Sequence, residues 1–218
     1  VKLTFVAEDS LKQMKVVIRI CSILITTLWA LPDATAQDGA YTHDRIFLSV
    51  STGVAGGNIK SEVSGQKLET YGTAFGVDGR FGTFLSERVS LSAGFVYTYL
   101  PEPRVVVQGK GATDKAEGIG VDEYLFGGGF TWFVNYRDVS LSLLAGAGYV
   151  AVKDKEADKS NTSDAGFSFQ LKLGKDFWVT PGMTIGLGLM YMKSHIKNEE
   201  IETLDTNRFA AMLTFGFD

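Results

Sequence analysis

The chain has a single cysteine, Cys21, in 218 residues, so it holds neither an intramolecular disulfide nor a cysteine metal cluster. Histidine is nearly as scarce, at 2 residues, and proline is low, at 4. The net charge of −4 is too small to point to a nucleic-acid partner. After Gln37 no stretch approaches the roughly 18 consecutive apolar residues of a membrane-crossing helix. No P-loop or dinucleotide fingerprint occurs, because Gly127-Gly128-Gly129 falls inside a strand-like run and opens no helix. The glycines, 25 in number, have no period of three, and Phe, Tyr, Val and Leu fill the intervals between them, which excludes collagen and disorder.

What the chain does have is a two-residue alternation. From Tyr71 to Phe81 one parity is mostly bulky and apolar, and the other is glycine, alanine and charge. Strand side chains point alternately to opposite faces, so such a segment has one greasy face and one small, polar face. A small, glycine-rich face packs poorly as a soluble core. The bulky face must therefore meet an apolar medium outside, and lipid is that medium.

The first residues read differently. Met14-Lys15 and Arg19 form a positive start, residues 20–31 an apolar stretch, and Ala34-Thr35-Ala36 an A-x-A cleavage signal. The expected organisation is an upstream extension over 1–13, a cleavable signal peptide over 14–36 and a single domain over 37–218. Cys21 sits early in the apolar run beside Arg19, which does not fit a lipoprotein signal.

Eight strand-like segments follow, at 45–56, 70–84, 88–100, 121–135, 139–152, 165–178, 183–193 and 207–217. Each is long enough for the roughly 9–11 residues of a tilted crossing. Their connections alternate. Glu87-Arg88, Tyr136-Arg137-Asp138 and Thr180-Pro181-Gly182 make tight turns, whereas 57–69, 101–120, 153–164 and 194–206 read as long polar loops. The bulky parity places Ile46, Leu48, Val50 and Val54 outward on the first segment and Phe209, Leu213, Phe215 and Phe217 outward on the last. The inward parity carries Gly53, Gly76, Gly94, Gly127, Gly146, Gly174, Gly188 and Gly216, with Gly79 and Gly128 as exceptions. Aromatics gather at both ends: Tyr71, Tyr99, Tyr124, Tyr149 and Tyr191 on the long-loop side, and Phe84, Trp132, Trp178 and Phe217 on the short-turn side. The fold class is all-β: an eight-stranded antiparallel up-and-down transmembrane β-barrel.

In segment count, loop asymmetry and the closing run from Asn207 to Phe217, the chain resembles the small eight-stranded outer-membrane proteins of the OmpX/OmpA transmembrane-domain type. The alternating aromatics that end in Phe217 look like the C-terminal signal read by the barrel-assembly machinery, with Asp218 as a departure from it. The resemblance implies integral residence in the bacterial outer membrane, with lipids and lipopolysaccharide as surroundings and no cofactor.

The inward parity also carries Asp78, Arg80, Glu123, Lys172, Asp176 and Arg208. Segments two and six, and four and eight, face each other across a ring of eight. Three charge layers are therefore expected: Asp78 with Lys172, Arg80 with Asp176 below them, and Glu123 with Arg208 above. Buried charges need partners, so the layers serve either as a plug in place of a core or as a gated ion path. An outer-leaflet hydrolase would require a serine activated by histidine. His43 lies on the wrong side for that, and His195, beside Ser194, lacks the His-x-Ser spacing of the lipid A deacylases. No catalytic or metal-ligating set is expected. Charged loops, with Lys153 to Lys159 and Lys197 to Glu202, suit a lipopolysaccharide-facing or host-facing surface. The run Arg104 to Gln108 is β-prone and either extends its hairpin or offers an edge to another protein. The leading function is structural or adhesive, with a narrow channel second and a lipid A-modifying enzyme third.

Overall fold

A computed structural model describes residues 46–63, 66–107, 111–134, 139–154, 157–180, 182–197 and 203–217. The expected extension, signal peptide, Cys21, His43 and Asp218 lie outside the described residues, as does the turn at 135–138.

Among the described residues, all regular structure is β-strand. The strands are β1 (Ile46–Val63), β2 (Gln66–Ser86), β3 (Val89–Pro101), β4 (Arg104–Val107), β5 (Gly111–Lys115), β6 (Ile119–Val134), β7 (Val139–Asp154), β8 (Lys159–Thr162), β9 (Gly166–Thr180), β10 (Met183–Ile196) and β11 (Thr203–Phe217). Eight of them form a closed antiparallel ring in the order β1, β2, β3, β6, β7, β9, β10, β11, and β1 pairs with both β2 and β11 to close it. Closure leaves no unpaired strand edge in the wall, so its ladders satisfy the backbone without water except at irregularities near the short turns, which skip Leu85 and Val179.

The burial pattern follows the alternation. Along β3, Ser90, Ser92, Val96, Thr98 and Leu100 are buried, while the intervening Leu91 and Phe95 are exposed. An outer belt that includes Leu48, Val54, Phe75, Phe81, Phe126, Phe130, Leu173, Phe209 and Leu213 is left bare on the molecule. So continuous an apolar exterior has no stable place in water. Inside, the glycines let the wall curl. Gly127 faces Gly146 across β6 and β7, and a Cβ on either would run into a neighbouring carbonyl oxygen, of Ala145 or Phe126 respectively. Gly79, an outward exception, is covered by the Phe95 ring from its cross-strand partner.

Two expectations need correction, and one that stood open between two outcomes is decided. Residues 57–69 form no long loop: the β1–β2 ladder runs unbroken to the Val63–Gln66 pair. At about 3.3 Å per residue, the 21 residues of β2 are about twice what a crossing needs. Above Ile59, which is still buried, neither parity of 60–62 and 66–69 is buried, so the alternation that marks a strand fades from the sequence while the backbone still requires partners. Second, of the two outcomes open to Arg104–Val107 the hairpin extension holds, because β4 pairs with β2 on one side and β5 on the other. Glu102, at φ 43°, turns the chain at that joint. Third, Phe84 and Trp178 share the inward parity of Arg80 and Asp176. They line the short-turn end of the lumen instead of joining Trp132 and Phe217 on the outside.

Candidate functional site

Eight strands enclose a space just wide enough for side chains to fill. Here it is filled. Val96, Leu100, Leu125, Leu144, Met190, Met192 and Ile196 are buried to 2% exposure or less and belong to one apolar cluster. Polar networks punctuate that cluster at two levels.

The lower network centres on Asp78. Its carboxylate accepts from Arg80 Nε at 3.2 Å and from Gln170 Nε2 at 3.1 Å, and Lys172 Nζ lies 3.5 Å away. Arg80 also donates to Gln170 Oε1 at 2.6 Å, and Lys172 donates to Ser51 Oγ at 2.5 Å. Asp78 and Lys172 thus meet across the barrel, from β2 to β9. Arg80, expected one layer lower opposite Asp176, is drawn up to Asp78 and Gln170, so the two lower layers merge into one network. Asp176 stands beside it, on the wall of the same cavity.

The upper network centres on Glu123. Arg208 Nε donates to Glu123 Oε2 at 3.1 Å, linking β6 to β11, and both side chains are fully buried. Ser194 Oγ donates to Glu123 Oε1 at 2.8 Å, and Thr206 donates to the same oxygen. Gln170, Ser51 and Thr206 were not singled out from the sequence, and Ser194 was noted only as the neighbour of His195. For Gln170 and Thr206 a signal was available, since each lies two residues from a charged inward position, Lys172 and Arg208; the inward parities of β1 and β10 carry no charge to mark Ser51 and Ser194.

The outer face carries a polar anomaly near the long-loop rim. Asp122 has the lipid-facing parity yet is only 1% exposed, because Tyr97 donates to it at 2.7 Å and Lys153 Nζ lies 2.7 Å away. A hydrogen bond to that carboxylate, and its charge, hold the exposed Lys153 ammonium above the usual lysine range. The group sits on a ladder of rings at the long-loop rim: Tyr97 and Tyr124 centroids are 5.1 Å apart, and Tyr124 and Tyr149 stack at 4.6 Å. Tyr191 and Phe209, at 4.8 Å, continue the rim on β10 and β11. Rings at this level suit the bilayer interface.

Ser194 and His195 point to opposite sides of the wall. Ser194 is buried on Glu123, and His195 faces out with Nδ1 2.7 Å from Asp205 Oδ1. As strand neighbours they cannot form a nucleophile–base pair. Among the described residues, no group of three His, Cys, Asp or Glu side chains is placed to hold a metal ion.

No protein-family model matches the chain, and no curated protein matches it in sequence. Solved structures do match. The crystal structure of Neisserial surface protein A is similar over 77% of this chain and 95% of that one, with a TM-score of 0.51 and 13% identity. The outer membrane protein OprG from Pseudomonas aeruginosa matches over 82% and 98%, with a TM-score of 0.49 and 11% identity. Ail, the attachment invasion locus protein of Yersinia pestis, matches over 78% and 99%, with a TM-score of 0.42 and 17% identity. With its closed ring, bare apolar belt and aromatic rim, the chain has the fold of the small eight-stranded outer-membrane β-barrel proteins.

Proposed function

We propose that this protein is a non-enzymatic, integral outer-membrane barrel that acts as a rigid platform for surface hairpins, with a structural or adhesive role in the envelope. The observation that carries this reading is the filled lumen. Buried apolar side chains pack above, between and around two charge networks, which supports a closed interior. In this reading Asp78, Arg80, Glu123, Lys172, Asp176 and Arg208 fasten opposite walls together and conduct nothing. The same filling argues against the narrow channel, and the separation of Ser194 from His195 removes the one nucleophile–base pair considered for lipid A chemistry.

The adhesive part rests on the strands that overrun the bilayer, above all the β1–β2 hairpin and the β4–β5 extension. Lipopolysaccharide is the proposed neighbour of the tyrosine rim and Lys153. The outward aromatics of β11 are the proposed handle for the barrel-assembly machinery. The test is surface expression of the protein and of a variant lacking residues 104–115, with attachment to host cells scored for each. The variant is expected to insert in the outer membrane and to lose attachment. Equal attachment by cells with and without the protein would sink the adhesive role.

A further inference from the structure

Below the Asp78 network the lumen widens into a cavity of about 80 Å³ that opens at the short-turn end of the barrel. Arg80, Lys172 and Asp176 form its inner part, and Phe47, Phe84 and Trp178 stand near its mouth. Hydroxyls line the wall between them, among them Ser142 and Thr214. The space has room for several waters or for one small polyatomic ion.

Its cations are incompletely used. Arg80 is only 4% exposed, spends Nε on Asp78 and Nη2 on Gln170, and has no hydrogen-bond partner at Nη1. Lys172, 8% exposed, has three protons and two acceptors within reach, Ser51 and Asp78. A buried guanidinium nitrogen left without an acceptor is costly, by about 1–3 kcal/mol or more. Both oxygens of Asp78 already accept a hydrogen bond each, Arg80 Nη1 reaches neither, and an acceptor inside the cavity would satisfy it. Asp176 stands on the wall and sets the charge balance: Arg80 and Lys172 face Asp78 and Asp176, and the balance tips positive if Asp176 is neutralised.

We infer that this cavity is a binding site for a small oxyanion, entered from the short-turn side of the barrel, which is the periplasmic side. Arg80 Nη1 and the third proton of Lys172 would donate to the anion, and the wall hydroxyls would complete its shell. A lipid head group held in the leaflet cannot reach this site, because the wall is closed and the mouth opens to water; the ligand is a free anion. The site adds a function to the lower network and does not depend on the adhesive reading.

The test uses the full chain folded in maltoside micelles, which carry no phosphate, and inorganic phosphate as the probe. Amide signals of Ser142, Gly174 and Thr214 are followed by NMR. Saturable shifts are expected, with a dissociation constant in about the millimolar range. Arg80→Met should weaken binding about tenfold, the worth of one charge-assisted hydrogen bond. Asp176→Asn, which leaves every donor in place, should tighten it about threefold or more by removing a like charge. Where Arg80→Met fails to fold, Asp176→Asn alone decides. Absence of saturable shifts up to about 100 mM phosphate would mean that water alone fills the cavity and would overturn the inference. Binding unchanged in Asp176→Asn would overturn it equally.

Discussion

Replacing Glu123 by Ala separates a wall-to-wall fastening from a decorative charge. The carboxylate accepts from Arg208, Ser194 and Thr206, and all four side chains are fully buried. Arg208 already has Nη1 and Nη2 without hydrogen-bond partners, so Nε–Glu123 is its principal anchor. Removing one member of a buried pair leaves an uncompensated charge and costs about 3–5 kcal/mol. Two orphaned hydroxyls add to that figure, at about 1 kcal/mol each. Glu123→Ala should therefore destabilise the barrel by at least about 4 kcal/mol. The double replacement Glu123→Leu with Arg208→Met removes both charges and keeps the volume. Such exchanges are often neutral or stabilising, so most of the loss should be recovered, within about 2 kcal/mol of the parent. The assay is equilibrium urea unfolding of barrels inserted in lipid vesicles, followed by tryptophan fluorescence. A single variant within about 1 kcal/mol of the parent would refute the reasoning, as would a double variant no better than the single.

Other outcomes follow from the same structure. Leu213 lies halfway between the rows marked by Phe217 and Phe209, so Leu213→Arg should cost about 2–4 kcal/mol in vesicles, whereas His195→Arg above the rim should stay within about 0.5 kcal/mol. Gly146→Val forces a side chain against the Phe126 carbonyl, and it should lower stability by about 1–3 kcal/mol or block refolding, read by circular dichroism. Asp122→Asn should return the Lys153 ammonium toward the ordinary lysine range, measured by NMR titration of its Nζ. The sign is that of a raised base: whatever the Lys153–Asp122 contact contributes is present below the ordinary lysine pKa and lost as pH rises through the raised value.

The wall of the barrel was legible in the sequence because lipid outside and a narrow lumen inside impose opposite demands on alternate residues. That contrast located all eight crossing segments and the parity of the glycines. It fades above the buried Ile59 of β1: in 60–62 and 66–69 neither parity is buried, so the top of the β1–β2 ladder had no pattern to betray it. Parity also outranks position along the strand. Trp178 near a strand end looked like a girdle residue, yet counting from Lys172 puts it inside. The merging of Arg80 into the Asp78 network was not readable, because a long side chain chooses among partners several ångströms apart. Asp122 was readable as an anomaly, a carboxylate on the lipid-facing parity, and its shield of Tyr97 and Lys153 emerged only in three dimensions.

The central claim is that the lumen is plugged by its own side chains. Single-channel recording of the protein in a planar bilayer tests it most directly. The filled interior predicts no current above the bare membrane at any applied voltage. A steady, ion-selective conductance that Arg208→Met or Lys172→Met alters would contradict it.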